Sequence, residues 1–114
     1  MVDRFTLYNV ETTPREFSSM VMLVRDALLE MKKVLDYTGD VAANYMKMEA
    51  RCRKIYVFEE RGDEFYREEI RRLFTEKQSA AYMIYWKDIL VDVERMLDAA
   101  AGAATLLQKL FVRV

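Results

Sequence analysis

The chain has 114 residues, with 18 Lys+Arg, 19 Asp+Glu and no histidine, for a formal net charge of −1. With 53% hydrophobic residues but only three glycines and one proline, a single domain (residues 1–114) of a few long elements is expected rather than many short strands. The missing histidine excludes His-based triads and His-ligated zinc or haem, the lone Cys52 excludes an internal disulfide or thiolate cage, and the balanced charge gives no electrostatic reason to expect nucleic acid or an anionic membrane as partner.

In chain order, the first twelve residues come first. Arg4 to Val10 alternates loosely and has no second strand to pair with, so residues 1–12 are expected to form a short extended arm lying on a helix. A helix start follows: Thr13 can cap, Pro14 suits the first helical position, and Glu16 completes a capping box. Residues 14–37 are read as the first helix, with Phe17, Val21, Val24, Leu28, Met31 and Leu35 as its apolar seam. Gly39 is expected as a left-handed cap and Asp40 as the next N-cap.

The second helix is read over residues 41–74. Its seam runs through Tyr45, Met48, Cys52 and Ile55, then Glu59 and Gly62, then Tyr66, Ile70 and Leu73. Ser79 can cap the third helix, residues 80–112, whose seam is Trp86, Leu90, Val93, Leu97, Ala100, Ala104, Leu107 and Phe111. Short loops favour antiparallel neighbours, so the fold expected is all-α: an antiparallel three-helix up-down-up bundle. The two longer helices, each about 50 Å, outreach the first. Some of Tyr56, Phe58, Phe65, Tyr82 and Tyr85 are therefore expected to lie uncovered, and a homodimer is expected to bury them.

No run of about 18 apolar residues occurs without a charge, so direct membrane insertion is not expected. Met1 to Val10 lacks a basic-then-apolar leader, which suggests a cytoplasmic location.

The chemistry on offer is carboxylate chemistry. Glu59 falls near the middle of the second helix's apolar stripe, and Asp63 lies roughly 50° from its centre. An ionised carboxylate facing a core costs several kcal/mol unless a cation, a proton or a metal compensates it. Glu94 and Asp98 repeat the Glu-x-x-x-Asp spacing on the third helix, with Glu94 about 90° from the centre of its stripe. Two such pairs on antiparallel helices make an oxygen-rich site suited to Mg²⁺, Mn²⁺ or iron. The competing reading pairs Asp63 with Arg67 at i+4 and leaves Glu94 or Asp98 solvated. Cys52 reads as a small buried hydrophobe, and the Tyr82–Tyr85–Trp86 cluster and the methionines read as packing.

The stretch Ile55 to Phe74, containing Glu59-Glu-Arg-Gly-Asp63 and Tyr66-Arg67-Glu68, resembles the second-half signature of the PhoU-like Pit accessory proteins: Leu-Glu-x-x-x-Asp, Tyr-Arg-Glu, Leu-Phe. Trp86-Lys87-Asp88-Ile89 followed by Glu94-x-x-x-Asp98 is similar to that family's Trp-Lys-Glu-Ile and Glu-x-x-x-Asp segment, and Leu7 to Val10 to its lead-in. The resemblance implies a cytoplasmic, all-α, non-enzymatic accessory of phosphate transport or phosphate-dependent regulation. Its partner would be a phosphate transporter or a phosphate-signalling protein. It implies a divalent or ferric metal ion (iron, Mn, Mg or Zn) held by Glu59, Asp63, Glu94 and Asp98. Typical members carry two bundles, and this chain has the length and motifs of the second. The alternative is a metal-free helical interaction or oligomerisation domain. A bundle-type di-metal oxidase is disfavoured because that chemistry uses Glu-x-x-His pairs.

Overall fold

A computed structural model describes residues 14, 16–76 and 78–112. The arm read over residues 1–12 and the capping Thr13 lie outside the described residues. Everything described is helix or short connection, with no strand among the described residues. Helix α1 spans Phe17–Asp36, a 3₁₀ turn spans Tyr37–Asp40, α2 spans Val41–Thr75 and α3 spans Ala80–Val112. Each helix packs against the other two.

Two of the expected caps are present. Asp40 accepts a hydrogen bond from the Ala43 N–H at 3.1 Å, and Ser79 Oγ accepts one from the Tyr82 N–H at 3.1 Å. Both satisfy donors that a helix start leaves without intrahelical partners. The start of α1 differs from expectation. Glu16 occupies the N-cap and makes no side-chain capping bond. Its own N–H instead donates to Glu69 Oε1 at 3.0 Å, from a residue 53 positions away. The cap is tertiary, supplied by α2. Gly39 is not the left-handed residue that a simple helix stop requires: Tyr37–Asp40 continues right-handed as the 3₁₀ turn, and Thr38 Oγ1 donates to the Leu35 carbonyl.

The contact pairs fix how the helices lie. Glu16 meets Glu69, Leu23 lies beside Gly62, and Glu30 bonds Arg51, so numbers fall along α2 as they rise along α1. Between α2 and α3, Gly62 faces Leu97, Tyr56 bonds Thr105, and the Cys52 thiol points to the Ala104 carbonyl.

Burial forms two clusters. One centres on Leu23, Ala27, Val34, Met48, Ile55, Leu97 and Phe111; the other on Met20, Leu73, Tyr82, Tyr85, Trp86 and Leu90. Val24 and Phe65 pack against both. In the second cluster, Phe17 and Tyr85 each meet Trp86 edge-on, at 5.1 and 5.4 Å between ring centroids. Tyr82 and Tyr85 are therefore core, and Tyr56, Phe58 and Phe65 are half-buried against the first cluster. The uncovered aromatic patch expected from helix lengths does not form: none of these five side chains is exposed.

The seam of α3 is buried as read, with Leu107 half-buried. The seam of α1 is buried only in part: Phe17, Val24 and Met31 pack half-buried against the two clusters. Met20, Leu23, Ala27, Glu30 and Val34 face inward, while Val21, Leu28 and Leu35 are exposed. The small Ala27 lets the helices approach, and Glu30 enters this face because Arg51 and Lys33 meet its two oxygens at 3.2 and 3.5 Å. A charged residue with two cationic partners can sit where a lone one could not.

Candidate metal centre

Gly62 sets the geometry. It stands in sequence between Glu59 and Asp63, and the residue facing it, Leu97, stands between Glu94 and Asp98. A Cβ at Gly62 would collide with Leu97 Cδ1, so the missing side chain is what allows α3 this close to α2. That close approach brings the two Glu-x-x-x-Asp pairs to the same level of the molecule.

Glu59, Glu94 and Asp98 each offer a carboxylate oxygen, and the three oxygens all lie within 4.8 Å of one another. Asp63 is adjacent to this trio without belonging to it. Its Oδ2 is held by Arg67 at 3.2 Å, the i+4 pair that the competing reading anticipated, and its charge still acts on Glu94. Glu59, Asp63 and Glu94 are half-buried and Asp98 is exposed, so the cluster sits at the rim of the α2–α3 contact. None of the trio is ion-paired with a cation among the described residues.

The electrostatic consequence is direct. Burial, then the charges of Asp98 and Asp63, then a carboxyl contact with Asp63 and the charge of Glu59 push Glu94 up to about 7. Glu59 is raised by burial first, then by its carboxyl contact with Asp98 and the charges of Asp98, Asp63 and Glu60. Carboxylates this close cannot all ionise without a counter-charge. Either a proton or a cation must occupy the cluster near neutral pH. Glu94 Oε2 is buried and has no hydrogen-bond partner of good geometry among the described residues.

The most buried carboxylate lies elsewhere. Glu69 is 1% exposed, against a half-buried Glu59, and its Oε1 accepts from both the Glu16 N–H and Arg72 Nη1, the latter at 2.8 Å. Its role is structural. Glu30 is likewise buried and paired. Periodicity singled out Glu59 because it sits on the seam, and it missed Glu69 because that residue's partners come from distant parts of the chain. The pair Glu69–Arg72 at i+3 was the available signal.

No family model, no curated protein and no solved structure matches this chain.

Proposed function

We propose that the chain is a non-enzymatic accessory or regulatory module of inorganic phosphate transport that binds a divalent or ferric metal through its paired Glu-x-x-x-Asp motifs. The observation that carries this reading is the meeting of Glu59, Glu94 and Asp98 from two helices with no Lys or Arg ion-paired to them among the described residues. The donor set fits a hard ion: oxygen ligands only, an unpartnered buried Oε2 on Glu94, and Asp63 one helical turn away to complete the shell. The phosphate assignment rests on the sequence resemblance of Ile55 to Phe74 and Trp86 to Asp98 to the PhoU-like accessory proteins.

The finer architecture belongs to the same proposal. The falling-against-rising contact pairs support an antiparallel up-down-up bundle in one domain. A homodimer is proposed through the exposed α1 seam of Val21, Leu28 and Leu35 beside Met96 and Leu106 of α3, in place of the aromatic patch first expected. The proposed location is cytoplasmic. No helix among the described residues is long and apolar enough to cross a membrane.

The test is elemental analysis of the purified chain, with thermal melting before and after chelation. Bound metal raises the melting temperature by mass action, and Glu59→Gln with Asp98→Asn should abolish both the metal and the shift. A metal-free wild type whose carboxamide variant is equally or more stable would sink the metal reading. That outcome would favour a metal-free interaction domain, which the Asp63–Arg67 pair and the readily protonated Glu94 already make chemically workable. Phosphate titration of the metal-loaded protein then asks whether the anion joins the ion.

A further inference from the structure

The net charge of −1 hides an uneven distribution along α2. In its last third the arginines are paired: Arg67 with Asp63, Arg71 with Glu68, and Arg72 with Glu68 and Glu69. Lys47, Arg53 and Lys54 in its first half, and Arg61 just past its middle, have no carboxylate within ion-pair distance among the described residues. All four are exposed. Lys47 instead lies over the Tyr37 ring, 5.9 Å from its centroid.

At about 100° per residue these cations share one outward stripe with Met46 and Val57, roughly 120° wide and about 22 Å long from Met46 to Arg61. Met46 and Val57 are 71% and 50% exposed. Most neighbouring acids stand off the stripe, while the exposed Glu64 continues its line one turn beyond Arg61. Glu49 is half-buried, Glu60 lies at the margin toward α3, and Glu59 belongs to the carboxylate trio. Glu59, the member of that trio on this helix, lies on its opposite side, about 180° around from the stripe's centre.

We infer that the outward face of α2, from Met46 to Arg61, is a docking surface for an anionic lipid bilayer, on which the protein lies without inserting. Charge complementarity argues for it: unpaired cations on an extended helix face meet the negative potential of anionic headgroups. The two exposed apolar side chains decide between bilayer and nucleic acid. Between cations at a membrane surface they enter the headgroup–acyl boundary, as in interfacial helices, whereas a sugar-phosphate backbone offers them nothing. The face also lacks the aromatic platforms on which single strands stack. Docked this way, the carboxylate cluster points away from the bilayer's negative field. The inference does not depend on the metal reading, since it uses other residues.

The experiment is co-sedimentation of the full chain with vesicles of phosphatidylcholine alone or mixed with phosphatidylglycerol, at low and high salt. Binding is expected only to the mixed vesicles, and screening by salt should abolish it. Lys54→Gln with Arg61→Gln should weaken partition about 25-fold, at roughly fivefold per cation. Arg67→Gln with Arg71→Gln, which removes paired cations, should change it by less than about twofold. Met46→Ser with Val57→Ser should weaken binding at unchanged charge. Absence of binding to the mixed vesicles, or equal losses in the two arginine-containing pairs, would overturn the proposal. So would complete displacement of the bound protein by duplex DNA, which would give the face to nucleic acid.

Discussion

Glu94 is the residue whose protonation the fold controls most. Its folded-state value near 7 lies above the ordinary carboxylate value of 4.5, so the native state binds the proton more tightly than the unfolded chain. The stability this gives is complete below about 4.5 and is lost as pH rises through about 7. Metal-free protein should therefore melt at a lower temperature at pH about 8 than at pH about 6, and Glu94→Gln should flatten that slope while raising stability at the alkaline end. A calorimetric pH series checks both. If the slope is unchanged in Glu94→Gln, the titrating group is another. Metal affinity should run the opposite way, strengthening as pH rises, because the ion competes with that proton. Glu69 makes a contrasting case. Glu69→Ala leaves the Glu16 N–H without its acceptor and Arg72 with only its longer pair to Glu68, and should cost about 2 kcal/mol. Glu69→Gln retains an acceptor and should cost less in urea unfolding. Trp86 buries an Nε1–H with no acceptor among the described residues, so Trp86→Phe should lose volume while removing a donor that is already unsatisfied.

At the scale of the elements, the sequence was legible wherever an apolar pattern offered one choice. The α3 seam is buried as read, and Asp40 and Ser79 cap as read. Helix α1 offered two heptad-spaced stripes, one through Val21, Leu28 and Leu35 and one through Met20, Ala27 and Val34. The expected seam joins the first stripe to Phe17, Val24 and Met31; the fold packs those three half-buried, leaves Val21, Leu28 and Leu35 exposed, and buries Met20, Ala27 and Val34. What decided it was tertiary: Glu30 needed Arg51, and Ala27 permitted contact, neither of which a period reveals. The candidate site was legible as two acid pairs, but the division of labour within it was not. Asp63 is drawn toward Arg67 while Asp98 joins the trio, and that depends on the rotation of α3 about α2. Gly62 tests this rotation. Gly62→Ala gains helix propensity worth about 1 kcal/mol but must displace Leu97 in a tightly packed core, so a net loss of about 1–2 kcal/mol is expected. Adding Leu97→Ala should make the glycine change less costly, which a double-mutant cycle measures.

The whole molecule is long and narrow, 54 × 26 × 17 Å. It separates its charges across its short dimension: unpaired cations face outward on α2, and carboxylates gather where α2 meets α3. A net charge near zero is the sum of these two faces and describes neither. The exposed heptad stripe on α1 adds a third kind of surface, apolar and helical, on which a second copy is proposed to pack. Light scattering over a wide concentration range checks this, with Leu28→Glu expected to favour the monomer without unfolding it. A monomer at every concentration in the wild type would remove that part of the proposal.

Cys52 supplies a way to watch the molecule open. Its thiol is fully buried between α2 and α3, close to the Ala104 carbonyl, and burial raises its pKa further from the reactive thiolate. Alkylation must then wait for the α2–α3 contact to part, so its rate is a clock for that separation. The same contact carries the carboxylate trio. An ion bridging Glu59 to Glu94 and Asp98 would cross-link the two helices and slow the clock, whereas chelation would quicken it. One sulfur atom thus reports, without any label built into the site, whether the carboxylates across the seam are tied together.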